Sequence, residues 1–109
     1  MAATYKVLGQ SFPAAATQTT LYTVPAATST VCSTLSVCNK AGAGDTVTVR
    51  ICVAGAADND KQLIMSGATI GANSLFTMTI GITLAATDVV KVTSTNGTSA
   101  FQLFGQELT

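Results

Sequence analysis

Histidine and tryptophan are absent from this 109-residue chain, and only ten residues carry charge, five of each sign. Without an imidazole the chain lacks the side chain that most often serves as a general base or metal ligand near neutral pH. Serine and threonine nucleophiles need a neighbouring base, and here there is a single glutamate. A paired-carboxylate mechanism would have to draw on Asp45, Asp58, Asp60, Asp88 and Glu107, four of which fall in or beside expected turns. No catalytic, cofactor-binding or metal-binding residue is assigned, and the chain reads as a non-enzyme with no cofactor. Lys6, Lys40, Arg50, Lys61 and Lys91 are dispersed, with no basic stripe to neutralise a row of phosphates, so no nucleic-acid partner is expected. No stretch approaches the ~20 apolar residues of a membrane-spanning helix, so no membrane partner is expected either. The residues from Met1 to Lys6 lack a basic region leading into an apolar run, which points to synthesis in the cytoplasm.

What the chain does contain is threonine, at nineteen positions, alternating with apolar residues as half-buried strands do. Its length suits one domain over residues 1–109, able to bury roughly 60–70% of its unfolded surface. Formal net charge is zero. Soluble monomers usually keep net charge away from zero, so a neutral surface this poor in charge suits permanent packing against other chains.

Turn signals divide the sequence at short intervals. Candidate strands run over Thr4–Gln10, Thr17–Val24, Ser29–Cys38, Thr46–Val53, Gln62–Met65, Ser74–Ile82, Asp88–Thr95 and Ser99–Leu108, with Ser66 to Asn73 among the loops. About eight short strands at this spacing imply a single all-β antiparallel sandwich, jelly-roll-like or immunoglobulin-like.

Two hairpins follow from the alternation. Centring a loop on Gly42 opposes Val31, Ser33, Leu35 and Val37 to Val53, Ile51, Val49 and Val47 on one side. It opposes Cys32 to Cys52 and Thr34 to Arg50 on the other, the two-faced pattern that register selection requires. Asn96-Gly97 has the composition of a type I′ turn, which would return the chain antiparallel from Val92 into Phe101 and Leu103. Large apolar groups on both parities of that last segment place it centrally or under another subunit.

The remaining motifs have plain structural readings. Cys32, Cys38 and Cys52 lack histidine partners for zinc, and adjacent-strand disulfides are strained, so free thiols are expected. The Thr-x-Thr pairs (Thr17/Thr19, Thr46/Thr48, Thr77/Thr79, Thr93/Thr95) are irregularly spaced and fit exposed strand positions better than an ice-binding array. Asp58-Asn59-Asp60 offers oxygen ligands but reads as an Asx-rich turn. Asn96-Gly97-Thr98 matches a glycosylation acceptor, though a turn accounts for it.

Three stretches carry a family resemblance: Thr20 to Thr28 followed by Val31 to Asn39, then Gly81 to Val92, and finally Phe101 to Leu108. The pattern resembles small virion structural proteins of tailed bacteriophages, especially those of cyanobacterial phages. That resemblance implies an all-β virion component and carries over no catalytic or binding residue. Between a capsid decoration (cement) protein and a tail-fibre or appendage module, a domain without shaft or repeat suits the shell, since reach requires length. The expected partners are the chain itself, as a homotrimer, and the major capsid protein of a phage head, on the outer capsid surface. A stand-alone carbohydrate-binding module is the alternative from another class. Its aromatic platform would have to come from Tyr5, Phe12, Tyr22, Phe76, Phe101 or Phe104, most of which follow core parity.

Overall fold

The computed structural model describes residues 2–109; Met1, the first residue of the expected domain and of the leader reading, lies outside the described residues. Eight strands form: β1 (Ala3–Ser11), β2 (Thr19–Thr23), β3 (Ser29–Asn39), β4 (Asp45–Cys52), β5 (Leu63–Ile70), β6 (Leu75–Leu84), β7 (Val89–Ser94) and β8 (Ser99–Leu108). They build two four-stranded sheets, a front sheet ordered β1-β8-β3-β6 and a back sheet ordered β2-β7-β4-β5. Every paired neighbour is antiparallel. The pairs β1–β8, β2–β7, β3–β6 and β4–β5 nest inside one another, as if one long hairpin had been rolled onto itself. This is jelly-roll order; an immunoglobulin sandwich would keep β1 and β2 in one sheet.

Alternation puts the core between the sheets. Leu35, Val37, Phe101 and Leu103 enter from the front sheet and Val47, Val49, Val90 and Val92 from the back, each 0–1% exposed. Burying each such side chain contributes roughly 1.5–3 kcal/mol. As its two-sided apolar pattern requires, β8 is central, between β1 and β3.

Both expected hairpins are corrected. β3 and β4 lie in different sheets, so Val31, Leu35 and Val37 do not pair with Val53, Val49 and Val47, and Cys32 does not face Cys52 across a ladder. In-phase apolar faces are demanded equally by pairing within a sheet and by stacking across a sandwich core, so the alternation alone could not separate the two. A register shift between Cys32 and Thr34 also moves the parity: Cys32 is fully buried and Ser33 exposed, whereas Leu35 and Val37 face inward beyond it. Asn96-Gly97 likewise crosses between sheets. Gly97 has φ of +71° but Asn96 is not left-handed, so no type I′ turn forms. The loop expected from Ser66 is strand as far as Ile70, interrupted by Gly67 at φ +62°.

Candidate functional site

Charge is segregated between the two outer faces. On the front sheet the outward positions include Tyr5 and Val7 of β1, Gln102, Phe104 and Gln106 of β8, Ser36 of β3, and Thr77 and Thr79 of β6. None is charged. The front strands hold only Lys6 and Glu107, which alternate with these positions and pair with each other at 3.0 Å. Lys40, in the loop beyond β3, sits over the Phe12 ring at 5.1 Å.

The back sheet keeps Arg50 and Lys91 outward, while Asp45, at the start of β4, is buried. Arg50 and Lys91 are register partners and would repel, but the segment after β4 folds over them. Asp58 lies 3.8 Å from the Lys91 ammonium, and Arg50 donates to the Asn59 carbonyl at 3.1 Å. Asn59 in turn caps the 3-10 turn Asp60–Gln62, with its side chain accepting from Lys61 N–H and Gln62 accepting from Asn59 N–H. The Asp58-Asn59-Asp60 motif is thus an electrostatic strap across strands. Among the described residues no group of three or more His, Cys, Asp or Glu converges as a metal site would.

Two buried polar clusters hold the sandwich. Beneath one end, Asp45 Oδ2 accepts from the Ser94 hydroxyl and, at 2.5 Å, from that of Ser99, while Oδ1 accepts from the Thr46 and Asn96 amides at 2.9 Å. Burial pushes the Asp45 carboxyl upward, but these four donors outweigh it and hold the group below its ordinary range. Asn39, also buried, donates to the Ala43, Ile70 and Gly71 carbonyls and accepts from Ala41 N–H and Thr98 Oγ1. Three loops from both sheets are tied together this way.

Across the sandwich, Tyr22 of β2 donates to Glu107 of β8 at 2.5 Å and shares a 2.8 Å bond with Thr30 of β3. Burial, with the Glu107 bond behind it, pushes the phenol up to about 12. The Tyr22 and Lys6 bonds hold the Glu107 carboxyl below its ordinary value. Among the described residues every buried side-chain nitrogen and oxygen has a partner inside the fold.

The other candidates disperse. Asp88 receives the Ala54 and Ala85 amides and so braces loops, far in role from Asp45. Tyr22 and Phe101 are the buried aromatics, whereas Tyr5 (80%), Phe12 (51%) and Phe76 (40%) are exposed, which corrects the expectation that most follow core parity. Tyr5 stands on the outer face of β1, Phe12 lies beyond its end, and Phe76, on the inward parity, is exposed because β6 is a sheet edge. Tyr5 flanks a shallow depression of about 350 Å³ with Val31, Ser33, Phe104 and Gln106, and Lys6, paired to Glu107, also lines it.

The cysteines are free thiols: Cys32 and Cys52 are buried and Cys38 is exposed. Burial pushes the Cys32 thiol up to about 11, so little reactive thiolate forms there. A thiol reagent at pH 8 should therefore modify one cysteine per native chain promptly, and all three after non-reducing denaturation. A denatured count of one would reveal a bridge and contradict this arrangement.

The uncharged front face escaped the reading of the sequence because hairpin pairing hid which strands share a sheet. Part of its signal was present: no charge occurs between Lys61 and Asp88, a span of twenty-six residues that contains β6. The chain matches no protein-family model, no curated protein and no solved structure.

Proposed function

We propose that this chain is a structural protein of a tailed-phage virion that decorates the assembled head and stabilises it, a packing protein and not an enzyme. The observation that carries the reading is the uncharged outer face of the front sheet, in a domain whose buried polar groups are all spent on its own architecture. Hydroxyl, amide and aromatic groups such as Thr34, Gln102 and Phe104 can be desolvated against another protein without stranding an ion. The charged back sheet then stays toward water. The sequence resemblance to phage virion components supplies the kind of partner, the major capsid protein.

Such a protein acts by mass action. Binding the closed lattice and not the dissociated subunits, it shifts the balance toward the shell. Its contacts, made through hydroxyls, amides and backbone, change little with salt. Electron microscopy of intact virions tests the reading: density for this domain is expected on the outer capsid surface. Density confined to the tail or fibre tips, over bare capsid, would overturn it in favour of an attachment module.

One observation favours a second reading. Tyr5, 80% exposed beside Phe104 and Gln106, has the make-up of a platform for stacking a sugar ring. A glycan array with reproducible hits abolished by Tyr5→Ala would favour a carbohydrate-binding module.

A further inference from the structure

The two flanks of the sandwich are built differently. On one flank lie the edge strands β1 and β2, on the other β5 and β6. An edge strand presents unpaired backbone donors and acceptors, and proteins that stay apart blunt it with short length, bulges or charge. The β1–β2 flank carries all of these. β2 has five residues and a register shift at Leu21; β1 carries Lys6 and a shift at Leu8.

The β5–β6 flank is left open. β6 has ten residues with no charge and no proline, and β5 is equally uncharged. The regular part of β6, Leu75–Thr79, pairs without a break against Thr34–Cys38 of β3, and its other side has no strand. Two large apolar side chains project there, Leu75 at 63% exposure and Phe76 at 40%. Gly67 bends β5 and a register shift interrupts β6 at Ile80–Gly81, so Leu75–Thr79 is the regular stretch of edge on this flank.

We propose that two copies of this chain join through β6, pairing Leu75–Thr79 antiparallel about a two-fold axis at Thr77, so that the front sheets become one eight-stranded sheet. Opposing positions then add symmetrically around Thr77. Thr77 meets its own copy, Leu75 meets Thr79, and Phe76 covers Met78. Phe76 and Met78 share the inward parity, so the contact buries the exposed ring against a side chain already packed on the core. The contact is isologous because only one flank is open; a head-to-tail ring would need the guarded β1–β2 flank as acceptor. Five paired residues at ~3.3 Å each, on a sandwich 20 Å thick, present about 330 Å², less than half the ~800 Å² per partner of a standard interface, so the backbone ladder must carry the contact and the dimer is a weak one. The inference rests on strand order and charge alone and is independent of the virion role.

Sedimentation equilibrium on the purified chain at tens of micromolar tests it. A species of twice the 11.0 kDa chain mass is expected, and its dissociation constant should be unchanged between about 0.05 and 0.5 M salt. Thr77→Lys places two ammonium groups opposite each other and should weaken association about a hundredfold. Thr77 is exposed, so the variant should keep the circular dichroism spectrum and melting point of the wild type. Thr4→Lys on β1 and Thr77→Val should leave the dimer intact. A monomer, a trimer, a dimer that survives Thr77→Lys, or one broken by Thr4→Lys would overturn the proposal.

Discussion

Replacing Asp45 with alanine is expected to remove about 4 kcal/mol of stability, seen as a fall in melting temperature of about 15 °C or more. The carboxylate is 1% exposed and is the acceptor for four donors. Its loss leaves the Ser94 and Ser99 hydroxyls buried without this acceptor and the part-buried Thr46 and Asn96 amides unpaired. The damage spreads, since Ser94 Oγ also accepts from the Gly97 and Thr98 amides at 3.1 and 3.2 Å. Acid should reproduce part of the effect in the wild type. The folded carboxyl is held below its ordinary value of 3.8, so its stabilisation is complete above about pH 4. It is lost as pH falls through the lower folded value. The gap between wild type and Asp45→Ala should therefore narrow as pH falls below 4 in denaturant titrations. A gap under about 1 kcal/mol at pH 7 would show that the loops hold without this hub.

Gly105→Ala should cost about 3 kcal/mol or more, with Gly81→Ala as its contrast. A Cβ on Gly105 would sit 2.9 Å from the Cys32 Cα and closer still to the Val31 carbonyl oxygen. These are backbone atoms at the β3 bulge, in the middle of the front sheet, and cannot swing aside as a side chain can. At Gly81 a Cβ meets nothing within 4 Å and φ is not left-handed. Alanine there should change stability by less than about 1 kcal/mol, with restriction of the unfolded chain pulling toward a gain. Equal urea midpoints for the two variants would refute the close approach at β3–β8.

Strand existence was legible because alternation is a local property. Ser99–Leu108 and the start of Ser29–Asn39 can be read directly from residue parity and turn residues. Strand partners were not, because β3 and β4 show the same in-phase faces whether they pair or stack. The bulge at Ser33 was also hidden: it exchanges the roles of Cys32 and Ser33, two small residues that propensity barely distinguishes. Asp45 read as a turn residue, since nothing local announces that Ser94 and Ser99 will fold back onto it. Thr77 and Thr79 read as ordinary exposed strand positions. Their place on an open edge became evident only with the sheet order.

The nested pairing also orders the steps by which the chain reaches its fold. β4 and β5 are separated by the strap alone, so their closure restricts the chain least. β3 with β6, then β2 with β7, then β1 with β8 each enclose the pair before, and each must bring together segments further apart along the chain. On loop length alone the front sheet is therefore finished last, when β8 joins β3 and β1 joins β8. Until then the β3–β6 ribbon has two open sides, and a waiting β6 from a neighbouring chain competes with β8 for a place in the sheet. Docking of β8, whose Phe101 and Leu103 close the core, removes that competition.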